Sequence, residues 1–202
     1  MIDKLAEHFE KFPGIGKRQA KRFVYFLLTS SPNYLNELIN LISKLKEEIN
    51  QCPSCFLYHS SKEKSLCKIC KDPKTNKTLL MIVEKDVDYE NINKSKLYPG
   101  KYFIIGGSMP IIEKNVEKEI RIKELLIAVE KQAKENKLAE IVLALSLNPQ
   151  GEQMDIYLRK TLCPLKEKYN FKISSLGRGL STGTELEYSD DQTIQNALKN
   201  RS

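Results

Sequence analysis

Four of the five cysteines in this 202-residue chain lie within 19 residues of one another. Cys52 and Cys55 form one Cys-x-x-Cys pair, and Cys67 and Cys70 form a second. A Cys-x-x-Cys turn directs two thiolates towards one point, and two such turns supply the tetrahedral sulfur shell that suits Zn²⁺. The spacing therefore predicts one structural zinc ion per chain, held in a small cysteine knuckle.

Two disulfides or a redox-active pair are the alternatives to a metal site. The charged amphipathic stretch from Met1 to Phe12 does not resemble a secretory signal, so disulfides fit poorly. A redox Cys-x-x-Cys pair is not expected twice in one short loop. His59 lies inside the loop and could replace a cysteine, but four sulfurs already complete the shell.

The cellular context expected from the sequence is cytoplasmic. The longest uncharged run near the N-terminus, Phe23 to Asn36, contains Pro32 and is too short to span a bilayer. The formal net charge of +7 favours polyanionic partners. Lysine outnumbers arginine 27 to 6, a bias that nucleotide composition can produce, so the position of the basic residues has to decide their role.

The N-terminal 50 residues predict three helices. Ile2, Leu5 and Phe9 recur at helical spacing, and the segment 12–16, Phe-Pro-Gly-Ile-Gly, then breaks the first helix. A second helix begins at Lys17. Its predicted apolar face consists of Ala20, Phe23, Val24, Leu27 and Leu28.

The turn between these two helices predicts a phosphate site. Gly14 and Gly16 leave amides exposed at the N-terminus of the second helix, where the helix dipole favours an anion. Four basic residues follow within six positions: Lys17, Arg18, Lys21 and Arg22. This pattern is typical of a helix-hairpin-helix element that grips nucleic-acid backbone without reading bases. The alternative is a plain helical hairpin with solvated basic side chains.

The third predicted helix starts at Pro32, with Ser31 as its N-cap, and runs to about Ile49. It leads directly into the cysteines, so we expect hairpin, third helix and knuckle to form one unit. After Asp72, the pattern changes to alternating strands and helices. The predicted strands are Leu79–Val83, Tyr102–Ile105, Ile141–Leu145 and Phe171–Ser174, and the predicted helices are Val116–Glu135 and Gly151–Tyr169.

Strands separated by helices indicate a mostly parallel sheet with helices on both faces. Chemistry in such sheets lies at the carboxyl ends of the strands. Glu84, Asp86 and Asp88 follow the first predicted strand, and Glu152 follows the third. These carboxylates could hold Mg²⁺ for phosphoryl transfer. The interpretation favoured here is that they are ordinary loop carboxylates.

The order of these motifs resembles the RecR family of bacterial recombination mediators over nearly the whole chain. Further matches are Tyr98-Pro-Gly-Lys-Tyr102, Gly106-Gly107, and the segment 177–183 leading to residues 186–190, Leu-Glu-Tyr-Ser-Asp. The resemblance implies an α+β multidomain protein, with an N-terminal helical hairpin unit and Cys₄ knuckle followed by a Toprim-like α/β parallel-sheet domain. The expected domains are 1–50 (hairpin region), 51–74 (zinc finger), 75–175 (Toprim-like) and 176–202, a C-terminal segment that packs on the sheet domain or a neighbouring subunit.

The resemblance also implies a role that is not enzymatic. RecR-like proteins work with RecO, and in some bacteria RecF, to help load RecA onto single-stranded DNA. They form homo-oligomeric rings, here expected to be tetramers, that bind single- and double-stranded DNA without sequence preference. The implied DNA contacts are Arg18 and Arg22.

Two departures from the family pattern argue against a metal site on the sheet domain. Gln150-Gly151 stands where the family carries an acidic residue before glycine, and residues 108–118 replace a loop rich in glycine and proline. The alternative function is a Mg²⁺-dependent Toprim enzyme of primase or topoisomerase type. Both of those enzyme classes are much longer than this chain.

Overall fold

The computed structural model describes residues 1–61, 65–107, 120–136, 138–177, 179–180, 183, 185–189 and 191–199. The chain forms two compact units, Met1–Asn50 and Gln51–Ser202. Within the described ranges, no helix has both the length and the hydropathy needed to cross a bilayer.

The first unit consists of three helices, as predicted: α1 (Ile2–Glu10), α2 (Lys17–Thr29) and α3 (Pro32–Glu48). The Ser31 hydroxyl accepts a hydrogen bond from the Tyr34 amide at the start of α3, which confirms the predicted cap. The core of this unit is small. It contains Ala6, Ala20 and Val24, with Phe9 and Ile15 packed against them.

The second unit is built on a four-stranded parallel sheet, which confirms the predicted architecture. The elements that follow α3 along the chain are β1 (Ile49–Gln51), β2 (Tyr58–Ser60), α4 (Lys68–Lys71), β3 (Asn76–Val83), α5 (Asp86–Lys94), β4 (Gly100–Ile104), α6 (Ile122–Asn136), β5 (Glu140–Ala144), α7 (Pro149–Tyr169), β6 (Lys172–Ser175), a 3₁₀ turn (Leu186–Tyr188) and α8 (Asp191–Lys199). The strand order of the four-stranded sheet is β4-β3-β5-β6. β1 and β2 pair in a separate two-stranded sheet.

Alternation along β3 sends its side chains to opposite faces of the sheet. Leu80 and Ile82 belong to the core beneath α6 and α7, whereas Met81 and Val83 belong to a second core shared with the cysteines. Both faces are therefore covered, which explains why the predicted strands are apolar runs rather than alternating ones.

The prediction that the knuckle forms one unit with the N-terminal helices is wrong. Cys52, Cys55 and Cys67 share a core cluster with the sheet residues Tyr102 and Ile104. The second unit accordingly begins at residue 51. Apolar side chains on the second face of the sheet provide the packing partner for the knuckle.

Element boundaries differ from the predictions by a few residues, and the helices α4, α5 and α8 were not predicted. β3 starts three residues early, at Asn76, and the ladder to β4 has an irregularity between Asn76 and Leu80. α6 begins at Ile122 rather than Val116, which itself lies outside the described residues. α5 was not predicted because it is only nine residues long and mostly polar.

The C-terminal segment exposes large apolar side chains. Leu186, Tyr188 and Leu198 are all more than half exposed. Packing of residues 176–202 on the sheet domain or on a neighbouring subunit stays a prediction.

Candidate metal centre and nucleic-acid hairpin

The two Cys-x-x-Cys pairs converge as predicted. The four sulfurs all lie within 4.8 Å of one another. Cys55 Sγ and Cys67 Sγ are 3.6 Å apart, and all five cysteines are free thiols. A tetrahedral zinc centre with bonds of about 2.3 Å places its sulfurs about 3.8 Å apart, so the group has the size and donor chemistry that such a metal requires. Cys52, Cys55 and Cys67 are almost fully buried, which keeps water away from the ligands.

Hydrogen bonds from backbone amides shape the knuckle. The Phe56 amide donates to Cys52 O at 2.9 Å, and the Cys67 amide points at Cys52 Sγ at 3.4 Å. Phe56 has φ of 63°, a left-handed conformation that lets the chain reverse after Cys55. The Ile104 amide donates to Cys55 O at 2.9 Å, so the first turn is bonded to β4.

The thiols perturb one another's protonation because they lie so close together. Hydrogen bonding between them lowers the pKa of Cys52 and raises the pKa of Cys55. A bound divalent metal displaces thiol protons and takes thiolates as ligands, which removes this competition. His59 is not part of the group, since its Nε2 hydrogen-bonds to Ser65 O at 2.9 Å.

The turn between α1 and α2 follows the pattern expected from its glycines. Gly14 has φ of 75°, a conformation that glycine adopts without strain. Gly16 is the N-cap of α2 and supplies no side-chain cap to the helix. The first turn of α2 contains no acidic residue. Since the first amides of a helix have no intrahelical partner, this N-terminus offers donors to an external anion.

The predicted DNA-contact residues occupy α2, where they differ in what they contact. Lys17, Arg18, Lys21 and Arg22 are all exposed. Among the described residues, the Arg22 guanidinium donates a hydrogen bond to Gln19 Oε1 at 3.3 Å. Lys21 forms an exposed salt bridge with Asp3 at 3.3 Å, so its charge is partly matched within the hairpin. Their assignment as DNA contacts stays a prediction.

Glu84 follows β3 directly and is buried, with 1% of its surface exposed. Its carboxylate accepts hydrogen bonds from the Ser146 amide at 2.9 Å and from the Ser146 hydroxyl at 2.8 Å. These bonds tie the end of β3 to the loop after β5. The carboxylate therefore has a structural role at the position where a metal ligand was considered.

The other candidate carboxylates make separate contacts. Asp86 accepts from the Tyr58 amide at 3.0 Å, and Asp88 accepts from the Lys85 amide at 2.9 Å. Both lie in the first turn of α5, not in a loop, and Glu152 lies in the first turn of α7. Among the described residues, only the four cysteines gather as three or more metal-ligating side chains.

A hydrogen-bonded group at the edge of the sheet was not predicted. Arg159 on α7 contacts Asp155 at 2.5 Å, Ser175 Oγ at 2.6 Å and Ile173 O at 3.2 Å. The Asp155–Arg159 pair has the four-residue spacing of a helical ion pair and could have been found from the sequence. Its contacts with β6 depend on the tertiary fold.

Comparisons with known proteins agree with this architecture. Residues 78–177 match the model of the Toprim domain, and residues 179–202 match the model described as RecR, C-terminal.

Among curated proteins, the recombination protein RecR of Amoebophilus asiaticus is 31% identical over 201 residues, covering 100% of this chain and 95% of the relative. RecR of Chloroherpeton thalassium is also 31% identical over 201 residues, with 100% and 96% coverage. RecR of Bdellovibrio bacteriovorus is 30% identical over 202 residues, with 99% and 96% coverage. Identity at this level over full-length relatives, together with the two domain matches, means that the chain belongs to the RecR family of recombination proteins.

Proposed function

We propose that this protein is a DNA-binding mediator of recombinational repair with no enzymatic activity of its own. It acts in the cytoplasm with a RecO-like partner, and with a RecF-like partner where one is present, to help load RecA onto single-stranded DNA. The observation that carries the proposal is the set of exposed basic residues in the first two turns of α2, a helix whose N-terminus has no side-chain cap.

The electrostatics of the hairpin favour binding of the DNA backbone. A helix N-terminus carries a partial positive charge and prefers acidic residues, yet α2 begins with Lys17 and Arg18. This arrangement is unfavourable by itself and becomes favourable when an anion sits at the amides. Phosphates of single- or double-stranded DNA satisfy both the amides and the side chains without reference to base sequence.

Arg18 and Arg22 are the side chains proposed to neutralise phosphates. They are one helical turn apart and exposed on the same helix. We assign weaker, supporting phosphate contacts to Lys17 and Lys21. Lys21 is placed in this group because its ammonium already pairs with the Asp3 carboxylate, which competes with a phosphate. The amides after Gly14 and Gly16 complete the site.

We assign zinc as the ion of the cysteine centre, one per chain, in a structural role. A closed shell of four thiolates is typical of structural Zn²⁺ sites, which leave no open position for a substrate. The knuckle contributes packing between the metal and the sheet, and no reaction step is assigned to it.

The proposal that the protein is not an enzyme is supported by the carboxyl ends of the strands. Catalysis of phosphoryl transfer by Mg²⁺ needs several converging carboxylates. Glu84 is bonded to Ser146, and Asp86 and Asp88 contact backbone amides elsewhere. Glu84→Gln is therefore expected to leave DNA binding unchanged, and an activity such as nicking, relaxation or primer synthesis that is lost in Glu84→Gln would contradict this.

Assembly into a homo-oligomer, proposed as a tetrameric ring, is supported by the surface of α3. Four of its apolar side chains, Ile39, Leu41, Ile42 and Leu45, each expose 60–64% of their area. Contiguous apolar surface of this kind marks an interaction site more often than a solvated surface. In a ring, the hairpins of several subunits would bind one DNA molecule together, which strengthens weak individual contacts.

The decisive experiment is a salt titration of DNA binding by an Arg18→Ala/Arg22→Ala double variant, measured by fluorescence anisotropy on single strands and duplexes. Each phosphate contact contributes about 0.9 to the slope of log K against log salt for duplex, and about 0.7 for single strands. We expect the double variant to bind DNA more weakly, and we expect the magnitude of its duplex salt slope to decrease by about 1.8 because two phosphate contacts are lost. A Lys4→Ala/Lys160→Ala variant removes two exposed charges elsewhere and is the matched control.

Zinc content and oligomer mass should be the same in both variants, because neither pair of side chains lies in a core. If the arginine variant follows the parent across the titration, the hairpin is only structural. If the parent does not bind DNA at all, the proposed function itself is wrong.

A further inference from the structure

A second basic surface lies on the unit Gln51–Ser202, far along the chain from the hairpin. Residues 68–77 and 94–101 contain seven lysines and one acidic residue, Asp72. The net charge of these two segments is +6, against +7 for the whole chain. We call this set the lysine edge: Lys68, Lys71, Lys74, Lys77, Lys94, Lys96 and Lys101.

One hydrogen bond shapes the first segment of the lysine edge, and a second joins it to the other segment. The Thr75 hydroxyl donates to Ile69 O at 2.9 Å, which holds α4 against the chain entering β3. The Asn76 amide donates to Pro99 O at 2.8 Å, and Asn76 lies opposite Gly100 in the parallel ladder. Both segments therefore meet at the amino ends of β3 and β4, opposite the strand ends that hold Glu84.

The side chains of the lysine edge are mostly exposed, and no described acid forms a salt bridge with them. Six of the seven side chains are exposed, and Lys101 is half-buried. Within the described ranges, none of the seven forms a salt bridge, whereas three lysines close to the amino ends of β5 and β6 do. Those paired lysines are Lys134 and Lys168, both with Glu130, and Lys172 with Glu140.

Asp72 offsets little of this charge. Its carboxylate accepts a hydrogen bond from the Lys74 amide at 2.8 Å and shapes the turn before β3. A zinc–thiolate centre in the knuckle adds about two negative charges nearby, which still leaves the surface positive.

Lys96 also has a φ of 53°, an unusual conformation for lysine, beside Leu97, which is 84% exposed.

We propose that the lysine edge binds the phosphate backbone of nucleic acid as a second contact surface, in addition to the hairpin. The inference rests on the proposed function only in taking DNA as the ligand. Lysine ammonium groups act as point charges that neutralise phosphates and release counterions, and they carry no base-specific information. A surface of mostly exposed lysines that form no salt bridge among the described residues, with one acid in its two segments, fits an extended polyanion better than a small ligand, because no enclosed cavity or converging set of donors is required.

The test compares full-length variants in the same anisotropy titration. Lys71→Gln/Lys74→Gln/Lys77→Gln removes three charges from the lysine edge, and Lys4→Gln/Lys85→Gln/Lys160→Gln removes three exposed charges outside it. Loss of three duplex contacts reduces the magnitude of the slope of log K against log salt by about 2.7. Between about 50 and 200 mM salt, the parent should therefore lose roughly 40-fold more affinity than the edge variant does. We expect this reduction in the edge variant and not in the control, with unchanged circular dichroism and metal content in both.

Three outcomes separate this inference from the proposed function. Loss of slope in both the edge variant and the Arg18→Ala/Arg22→Ala variant supports two surfaces. Loss in the arginine variant alone, with the edge variant equal to its control, overturns the lysine edge and keeps the hairpin. If the edge variant loses affinity for a polyglutamate peptide but keeps that for DNA, the ligand is an acidic protein segment and the inference is wrong.

Discussion

Ser146→Ala tests the interpretation that Glu84 is a structural carboxylate. The substitution removes the hydroxyl that donates to Glu84 at 2.8 Å and keeps the backbone donor at 2.9 Å. Glu84 is 1% exposed, so water cannot replace the lost donor without disturbing the packing. A hydrogen bond to a charged group contributes about 1.5–3 kcal/mol, and we expect the free energy of unfolding to fall by that amount at neutral pH.

The same substitution in a Glu84→Gln background isolates the charge. A bond from the Ser146 hydroxyl to a neutral amide contributes only about 0.5–1.5 kcal/mol, so the two backgrounds should differ by roughly 1–1.5 kcal/mol. Urea unfolding of the four proteins, followed by far-UV circular dichroism, gives the coupling energy. A Ser146→Ala cost below about 0.5 kcal/mol in both backgrounds would refute the structural interpretation, and the carboxylate would then be available for another role.

Three further predictions concern metal content and packing. Cys67→Ser should lower the zinc bound per chain in natively purified protein, measured by elemental mass spectrometry, whereas Cys163→Ser, at an exposed cysteine outside the centre, should not. Gly151→Ala should cost about 1–3 kcal/mol or more, because an added Cβ would overlap the Ser146 carbonyl, whereas Gly177→Ala, with open space around it, should be nearly neutral in urea unfolding. Burial raises the pKa of Tyr98 above its usual value, and its buried hydroxyl lacks a hydrogen-bond partner among the described residues. Folding therefore favours the protonated phenol, stability falls as the pH rises above about 10, and Tyr98→Phe should reduce that fall without loss of stability at neutral pH.

Features set by short-range spacing were predictable from the sequence. The cysteine pairs, the glycine turn before α2 and the Ser31 cap each depend on residues within a few positions of one another, and the structure places them as expected. The alternation of strands and helices after Asp72 predicted a parallel sheet with both faces covered, and the structure has such a sheet.

Features that depend on long-range packing were not predictable. The knuckle belongs with the sheet because Met81, Val83 and Tyr102 provide its apolar partner, and no local pattern near the cysteines indicates this. The contact between Glu84 and Ser146 joins residues 62 positions apart. Likewise, the amino-end lysines of β3 and β4 gather only because two separate strands are adjacent and parallel.

The hydrogen bond from the Ile104 amide to the Cys55 carbonyl lets the knuckle cover part of an edge strand of the sheet. β4 is the outermost strand on that side, and unpaired outer strands are templates for aggregation. At the opposite border, Arg159 covers the Ile173 carbonyl of β6. Metal depletion should therefore expose the outer edge of β4 as well as loosen the knuckle. We expect the metal-depleted protein to self-associate through pairing of this strand, so that metal supply governs solubility.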